Sequence, residues 1–185
     1  MNLPNKLTIL RMIMVPVFFV FLVNIQGTAA AVAALVLFAA ASLTDALDGH
    51  IARSRNLITT FGKFMDPIAD KLLVSSALVG FTAMGILNPW ATLIILSREF
   101  IVTAFRIVAM GEGVVIAASK WGKLKTITQM IAIILLLIGN ILTCCGVEST
   151  VYFAVSQTAV WISVVITIIS GFDYIYKNRQ LISTK

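Results

Sequence analysis

Six long apolar stretches follow one another along the chain, separated by short polar or charged segments. They cover about residues 7–23, 29–47, 63–84, 89–110, 127–144 and 150–174. Each comes close to the roughly 20 residues that an α-helix needs to cross a bilayer. The fourth stretch contains Arg98, Glu99 and Arg106, and charges deep in a membrane helix are rare and usually face a bundle interior or a wet cavity. The pattern predicts an all-α integral membrane protein with six transmembrane helices in a single membrane domain, residues 1–185.

The composition supports this class. The chain has 185 residues, of which 59% are hydrophobic and only 12% are charged. A soluble core of this size could not bury so much apolar surface. The net charge is +6, and the basic residues cluster in certain loops, which suits membrane orientation and phosphate-bearing ligands rather than nucleic acid. Cys144 and Cys145 are adjacent, so we interpret them as packing residues rather than as a disulfide.

The loop charges predict the orientation of the chain. Nearly all loop Lys and Arg residues lie around 1–6, 50–63, 111–125 and 175–185, whereas the loops near 24–28, 85–88 and 145–149 carry none. The positive-inside rule then places both termini and the segment 45–70 at the cytoplasmic face of the cell membrane. Arg11 inside the first stretch disfavours a cleaved signal peptide. Aromatic residues near the span ends are interpreted as interfacial anchors: Trp90, Trp121, Tyr152, Tyr174 and Tyr176.

Half of the acidic residues of the chain fall within one short segment. Four of the eight are Asp45, Asp48, Asp66 and Asp70. On a helix, the i, i+3 and i, i+4 spacings put each pair of carboxylates on one face. Carboxylates gathered beside apolar segments repel one another and are costly to desolvate unless cations neutralise them. Oxygen ligands favour hard cations, so we predict a site for two Mg²⁺ or Mn²⁺ ions.

The same segment carries a longer pattern, Asp-x2-Asp-Gly-x2-Ala-Arg-x8-Gly-x3-Asp-x3-Asp. It resembles the signature of the CDP-alcohol phosphatidyltransferases, membrane enzymes of phospholipid synthesis. Eight defined residues at fixed gaps are a specific signal, and a solvated loop has no need of these spacings. The positions that match are Asp45, Asp48, Gly49, Ala52, Arg53, Gly62, Asp66 and Asp70. The resemblance implies a CDP-alcohol phosphotransferase-like helical bundle and a homodimer.

The resemblance also implies a role for each motif residue. Asp45, Asp48 and Asp66 would be shared metal ligands, and Asp70 would complete the second metal site and act as general base toward the acceptor hydroxyl.

The remaining motif residues would bind the CDP-lipid. Gly49, Gly62 and Ala52 would leave room for its nucleotide, although helix-end glycines are also common for other reasons. Arg53 would pair with its phosphate.

The N-terminal segment, up to the start of the first span, carries a second resemblance. Residues 3–11 resemble the N-terminus of the phosphatidylglycerophosphate synthases, a branch of that family, in which the segment helps to close over the nucleotide. Asn5, Thr8 and Arg11 are spaced so that they can line one side of a helix. Asn5 and Thr8 are therefore candidate CDP-lipid-binding residues, and helix capping is the alternative role for both.

Basic residues in the second half of the chain are candidates for binding an anionic acceptor. They are Arg98, Arg106, Lys120, Lys123 and Lys125. Arginine binds phosphate through two hydrogen bonds, so glycerol 3-phosphate fits both this set and the N-terminal resemblance. In the alternative interpretation, Arg98 and Glu99 are structural charges satisfied within the bundle, and the lysines only anchor the membrane interface.

The reaction implied by the resemblance transfers the phosphatidyl group of CDP-diacylglycerol to glycerol 3-phosphate and releases CMP. A near relative would keep this chemistry with serine, inositol phosphate or phosphatidylglycerol as acceptor. A divalent-cation transporter could also use intramembrane carboxylates. Its site should lie near the midplane, often with internal repeats, whereas here the acids lie at span ends and no repeat is seen. A structural protein with a regulatory metal leaves the glycine and arginine positions unexplained.

Overall fold

The protein is described by a computed structural model. It covers residues 3–54, 60–111 and 119–179, and within these ranges the side chains of 3–6, 45–54, 60–67, 70 and 110–111 are not described. The described residues form six α-helices and no strand, which confirms the predicted all-α class. The helices are α1 (Leu3–Val23), α2 (Thr28–Ser54), α3 (Thr60–Ala83), α4 (Pro89–Gly111), α5 (Lys120–Cys144) and α6 (Thr150–Lys177).

Helix α2 is longer than the apolar pattern predicts. The second apolar stretch ends near residue 47 and the third begins near residue 63, which predicts a link between them. The helix instead continues to Ser54. A glycine inside a helix costs only about 1 kcal/mol relative to alanine, and no proline follows before Pro67 to stop the helix. The end of an apolar stretch therefore marks where the surroundings become polar, not where the helix ends.

The chain divides into two compact units. The first contains Met1–Ile86 and Leu136–Glu148. In this unit α1 packs against both α2 and α3. The rings of Phe18 and Phe38 lie 5.6 Å apart between centroids, in a tilted arrangement. Helices α1 and α3 approach closely at Gly80, where an added Cβ would lie 2.6 Å from Cδ2 of Leu22.

The second unit contains Leu87–Leu135 and Ser149–Lys185. Here α4 packs against α6. The buried face of α6 is unusually polar for an apolar helix, since it includes Ser156, Ser163, Thr167, Ser170 and Tyr174. The hydroxyl of Tyr152 donates to the carbonyl of Leu135 at 2.9 Å, which joins α6 to α5 within the unit. The interior of this unit therefore contains hydroxyl groups, which can form hydrogen bonds, beside its apolar side chains.

The outward surface of the helices is apolar. Large exposed side chains on α6 include Val151, Phe153, Ile162 and Phe172. In the described part of the chain, α5 and α6 are each long and apolar enough to cross a membrane by length and composition. Shorter apolar helical segments cover Leu7–Val23, Thr28–Thr44 and Lys71–Ala83. Such a surface is typical of helices that face lipid, because continuous exposed apolar patches are rare on soluble monomers.

Two of the helix ends are closed by the same glycine motif. Gly85 follows α3 and Gly146 follows α5, with φ of 72° and 76°. The N–H of Gly85 donates to the carbonyl of Thr82, and the N–H of Ile86 donates to Phe81, both at 3.0 Å. The pair of bonds satisfies carbonyls that the helix leaves without partners. These compact turns keep the connections between successive helices short.

Candidate active site

The acidic motif lies on two helices of the first unit. Asp45 and Asp48 belong to α2, and Asp66 and Asp70 belong to α3. The helical backbone separates the two positions of each pair by about 4.5 Å and 6 Å along the axis. Their side chains are outside the described residues. The metal-site prediction requires each pair of aspartates to lie on a helix, and both pairs do.

The other motif residues share these helices. Gly49, Ala52 and Arg53 lie near the end of α2, and Gly62 lies in the first turn of α3. Their side chains, too, fall outside the part of the chain that is described. The CDP-lipid-binding roles of these four residues therefore stay predictions.

The N-terminal segment, residues 3–11, is the first part of α1. The helix begins at Leu3, so Asn5 is a helical residue whose side chain is not described. Thr8 and Arg11 are both fully buried. They are three residues apart on one face of α1, the helix that packs on α2 and α3. A buried arginine and threonine in an otherwise apolar helix mark this face as polar and oriented toward protein.

Two of the five candidate acceptor-binding residues come together in the second unit. Nη1 of Arg98 lies 3.0 Å from Oε1 of Glu99, and Nζ of Lys125 lies 2.5 Å from the same oxygen. Nη2 of Arg98 donates to Oγ of Ser170 at 2.7 Å. The side chains of Arg98, Glu99 and Lys125 are 13%, 16% and 7% exposed. We call Arg98, Glu99, Lys125 and Ser170 the basic cluster. It holds two cations and one anion, so it carries one net positive charge.

The other three candidates are on the surface of the unit. Arg106, Lys120 and Lys123 are exposed. The guanidinium of Arg106 lies over the ring of Tyr174, with Cζ 5.9 Å from the centroid. Among the described residues, none of the three forms an ion pair with a carboxylate. The predicted set of five is thus split into a buried pair and three exposed cations.

Some residues of this region have roles that the sequence did not predict. Tyr174 was interpreted as an interfacial anchor, but it is only 3% exposed and packs edge-on against Phe105 with centroids 6.5 Å apart. Glu99 was weighed only as a structural charge, and Ser170 was not singled out. A signal was available for Ser170 and Tyr174, since small and polar residues recur on one face of α6. The contact of Glu99 with Lys125 joins two helices, so no local pattern in the sequence indicates it.

Several buried donors of the second unit have no hydrogen-bond partner among the described residues. They include Nε of Arg98, Nε2 of Gln129 and the hydroxyl of Tyr174. Gln129 lies one helical turn after Lys125, so both belong to the same face of α5. Buried polar groups are nearly always paired with protein, water or ligand. These buried donors can therefore form hydrogen bonds to oxygen atoms of water or of a ligand.

Comparisons with known proteins relate the whole chain to one family. The model of the CDP-alcohol phosphatidyltransferase family matches residues 1–169. That range includes α1 to α5 and the larger part of α6, and it contains the acidic motif and the basic cluster except Ser170.

Curated relatives are similar over nearly their full length. The CDP-diacylglycerol–glycerol-3-phosphate 3-phosphatidyltransferase of Bacillus subtilis is 39% identical, over 99% of this chain and 98% of the relative. The protein of the same name from Rickettsia typhi is 38% identical, over 94% of each chain. Another, from Sodalis glossinidius, is 35% identical over 97% of this chain and 96% of the relative.

Proposed function

Since the chain belongs to the CDP-alcohol phosphatidyltransferase family, we propose that it transfers the phosphatidyl group of CDP-diacylglycerol to glycerol 3-phosphate. The products are phosphatidylglycerophosphate and CMP. The choice of acceptor is supported by the names of the relatives, which specify glycerol 3-phosphate. The single observation that carries it is the basic cluster, which holds one net positive charge in a mostly buried position. Serine carries one carboxylate and one ammonium group and has no net charge, whereas glycerol 3-phosphate brings a phosphate group with a net negative charge, which a pair of cations suits better.

The carboxylates of the motif fit divalent metal ions by the chemistry of the donor set. Asp45, Asp48 and Asp66 would be ligands shared by two Mg²⁺ or Mn²⁺ ions, and Asp70 would complete the second site. Four carboxylates and no cysteine or histidine among the proposed ligands favour hard cations over zinc or copper. Two such ions would neutralise the charge of the diphosphate and of the leaving CMP.

The protein residues supply positioning and proton transfer. Asp70 accepts the proton of the acceptor hydroxyl as that oxygen forms its bond to the β-phosphorus of CDP-diacylglycerol. The bond from that phosphorus to the bridging oxygen breaks, and CMP leaves with both electrons. Arg53 pairs with the phosphate of the CDP-lipid, and Asn5 and Thr8 of the N-terminal helix close over its nucleotide. Gly49, Ala52 and Gly62 leave the space that the nucleotide needs.

The acceptor's phosphate is bound by the basic residues of the second unit. Arg98 and Lys125 bind its oxygens directly, since both are mostly buried and held at one point. Arg106, Lys120 and Lys123 are exposed, and they raise the local concentration of an anionic acceptor.

The membrane setting belongs to the same proposal. The protein functions as a single membrane domain with six transmembrane helices in the cytoplasmic membrane, and both termini and the acidic motif lie at the cytoplasmic face. The apolar outward surface supports the membrane setting, and the loop charges support the orientation. The protein acts in contact with membrane lipids and assembles as a homodimer.

The acceptor is tested by CMP release from purified protein in detergent with CDP-diacylglycerol and Mg²⁺. Glycerol 3-phosphate, serine, inositol phosphate and phosphatidylglycerol are supplied in parallel. We expect release only with glycerol 3-phosphate and only with metal. Release with another alcohol would keep the chemistry and replace the acceptor. No release with any of them, from folded protein that binds Mg²⁺, would favour a cation transporter.

A further inference from the structure

We propose that Glu99 is a positioning residue that holds Arg98 and Lys125 side by side, so that both cations bind one phosphate group of the acceptor. The inference rests on the proposed function and deepens it. It identifies the residue that arranges the two cations of the acceptor site.

One carboxylate oxygen joins the two cations. Oε1 of Glu99 lies 3.0 Å from Nη1 of Arg98 and 2.5 Å from Nζ of Lys125. The two nitrogens are therefore no more than about 5.5 Å apart, the sum of these distances, which suits donors that share the oxygens of one phosphate. The cations come from α4 and α5, and Glu99 joins these two helices at this point.

Burial makes the carboxylate necessary. Lys125 is 5% exposed, and two buried like charges this close repel each other unless an anion separates them. Without Glu99, the two cations would repel each other and move apart. With Glu99 between them, the repulsion is offset and the two cations stay side by side.

The guanidinium of Arg98 is fixed at both of its terminal nitrogens. Nη1 binds Glu99, and Nη2 donates to Ser170 at 2.7 Å. Nε is buried and has no partner among the described residues. A buried N–H without an acceptor is unfavourable, so an incoming oxygen atom gains a full hydrogen bond there. The fixed guanidinium therefore holds one donor whose hydrogen bond is unmade among the described residues.

A purely structural ion pair predicts a different response to mutation. Glu99→Gln removes a negative charge, so it makes the surroundings more positive. If only the net charge mattered, this change would strengthen the binding of an anionic acceptor. If Glu99 positions the cations, the change weakens binding in spite of the added positive charge. The sign of the effect distinguishes the two roles.

The test uses the full chain in detergent with CDP-diacylglycerol and Mg²⁺. We expect Glu99→Gln to raise the KM for glycerol 3-phosphate about tenfold, the effect of losing a charge-assisted hydrogen bond, while the KM for CDP-diacylglycerol stays unchanged. The rise in melting temperature that glycerol 3-phosphate produces should shrink in parallel, and this readout needs no turnover. Glu148→Gln is the matched control, because Glu148 is an exposed carboxylate in the turn between α5 and α6.

Further variants keep the test decisive if Glu99→Gln does not fold. Glu99→Asp keeps the charge and withdraws it by one methylene, so the KM for glycerol 3-phosphate should rise by a smaller factor. Combining Glu99→Gln or Glu99→Asp with Lys125→Gln should add little to the effect of Lys125→Gln alone, since both residues act through one interaction.

The outcomes separate the inference from the function on which it rests. If the unaltered protein uses glycerol 3-phosphate and the Glu99 variants have an unchanged or lowered KM for it, only the positioning role is overturned. Additive effects in the double variant would also overturn it. Failure of the unaltered protein to release CMP with glycerol 3-phosphate would overturn the proposed function and the inference with it.

Discussion

Single residues determine the chemistry of the proposed reaction, and changing Asp70 should separate substrate binding from turnover. Asp70→Asn keeps the size of the side chain but removes a carboxylate that can accept a proton. We expect kcat to fall about 10²–10⁴-fold, the usual contribution of a general base, while CDP-diacylglycerol still raises the melting temperature.

Asp173→Asn is the matched control for this change. Asp173 pairs with Lys177 on α6, at 2.7 Å, and has no role in the proposed reaction. Its variant should keep normal turnover. Full activity of Asp70→Asn would remove Asp70 from the role of base.

Two lysines of one helix should differ in their effect on acceptor binding. Lys125 is buried against Glu99, whereas Lys123 is exposed. Lys125→Gln should raise the KM for glycerol 3-phosphate about tenfold or more, and Lys123→Gln should change it by no more than about twofold, because exposed charges are screened. Steady-state titration of the acceptor measures both. Equal effects would mean that burial does not decide which lysine binds the phosphate.

For single residues, local patterns could be predicted from the sequence, but contacts between residues on different helices could not. The acidic motif is recognisable because its residues have fixed spacings along the chain. The contact of Glu99 with Lys125 joins α4 to α5, and no spacing predicts it. Tyr174 shows the same limit, because a tyrosine near a helix end is buried or interfacial according to the face that packs.

Among the elements, α1 and α3 depend on a close approach at Gly80. A Cβ there would lie 2.6 Å from Cδ2 of Leu22, and 3.3 Å from Cγ2 of Val23. Gly80→Ala should therefore lower the stability by about 1–3 kcal/mol, the usual effect of overpacking. Thermal unfolding in detergent measures the change.

Gly122→Ala is the control for this substitution. Gly122 is also helical, and the nearest atom that a Cβ would meet is Oγ of Ser119 at 3.4 Å. Its variant should keep or slightly raise the melting temperature. Equal destabilisation by both variants would show that the packing of α1 against α3 does not depend on the small residue.

The helices themselves were predictable, but not all of their ends. Each apolar stretch coincides almost completely with part of one helix, because lipid or a packed core requires both apolar side chains and paired backbone groups. The end of α2 was wrong by several residues, because hydrophobicity reports the surroundings and not the backbone. Gly85 and Gly146, in contrast, mark the ends of α3 and α5, since the closing motif needs positive φ.

For the whole molecule, the orientation in the membrane can be tested with the natural cysteines. The chain has only two, Cys144 and Cys145, and both are exposed. We had interpreted them as packing residues, but their exposure makes them available to reagents. If the loop near 145–149 faces outward, a membrane-impermeant maleimide should label intact cells that express the protein.

The opposite face is tested with a variant that moves the thiol. Cys144→Ser and Cys145→Ser, combined with Ser183→Cys in the basic tail, should be labelled only after the cells are permeabilised. Labelling of this variant in intact cells, with protection of the natural cysteines, would reverse the orientation predicted from the loop charges.

The most direct test of the proposed activity follows the phosphorus of the acceptor. Purified protein is supplied with CDP-diacylglycerol, Mg²⁺ and glycerol 3-phosphate labelled in its phosphate, and label in the lipid phase is compared with released CMP. We expect one labelled lipid for each CMP, and neither product without metal or without CDP-diacylglycerol. CMP release without label in the lipid would contradict it, because the phosphatidyl group would then have gone to another acceptor.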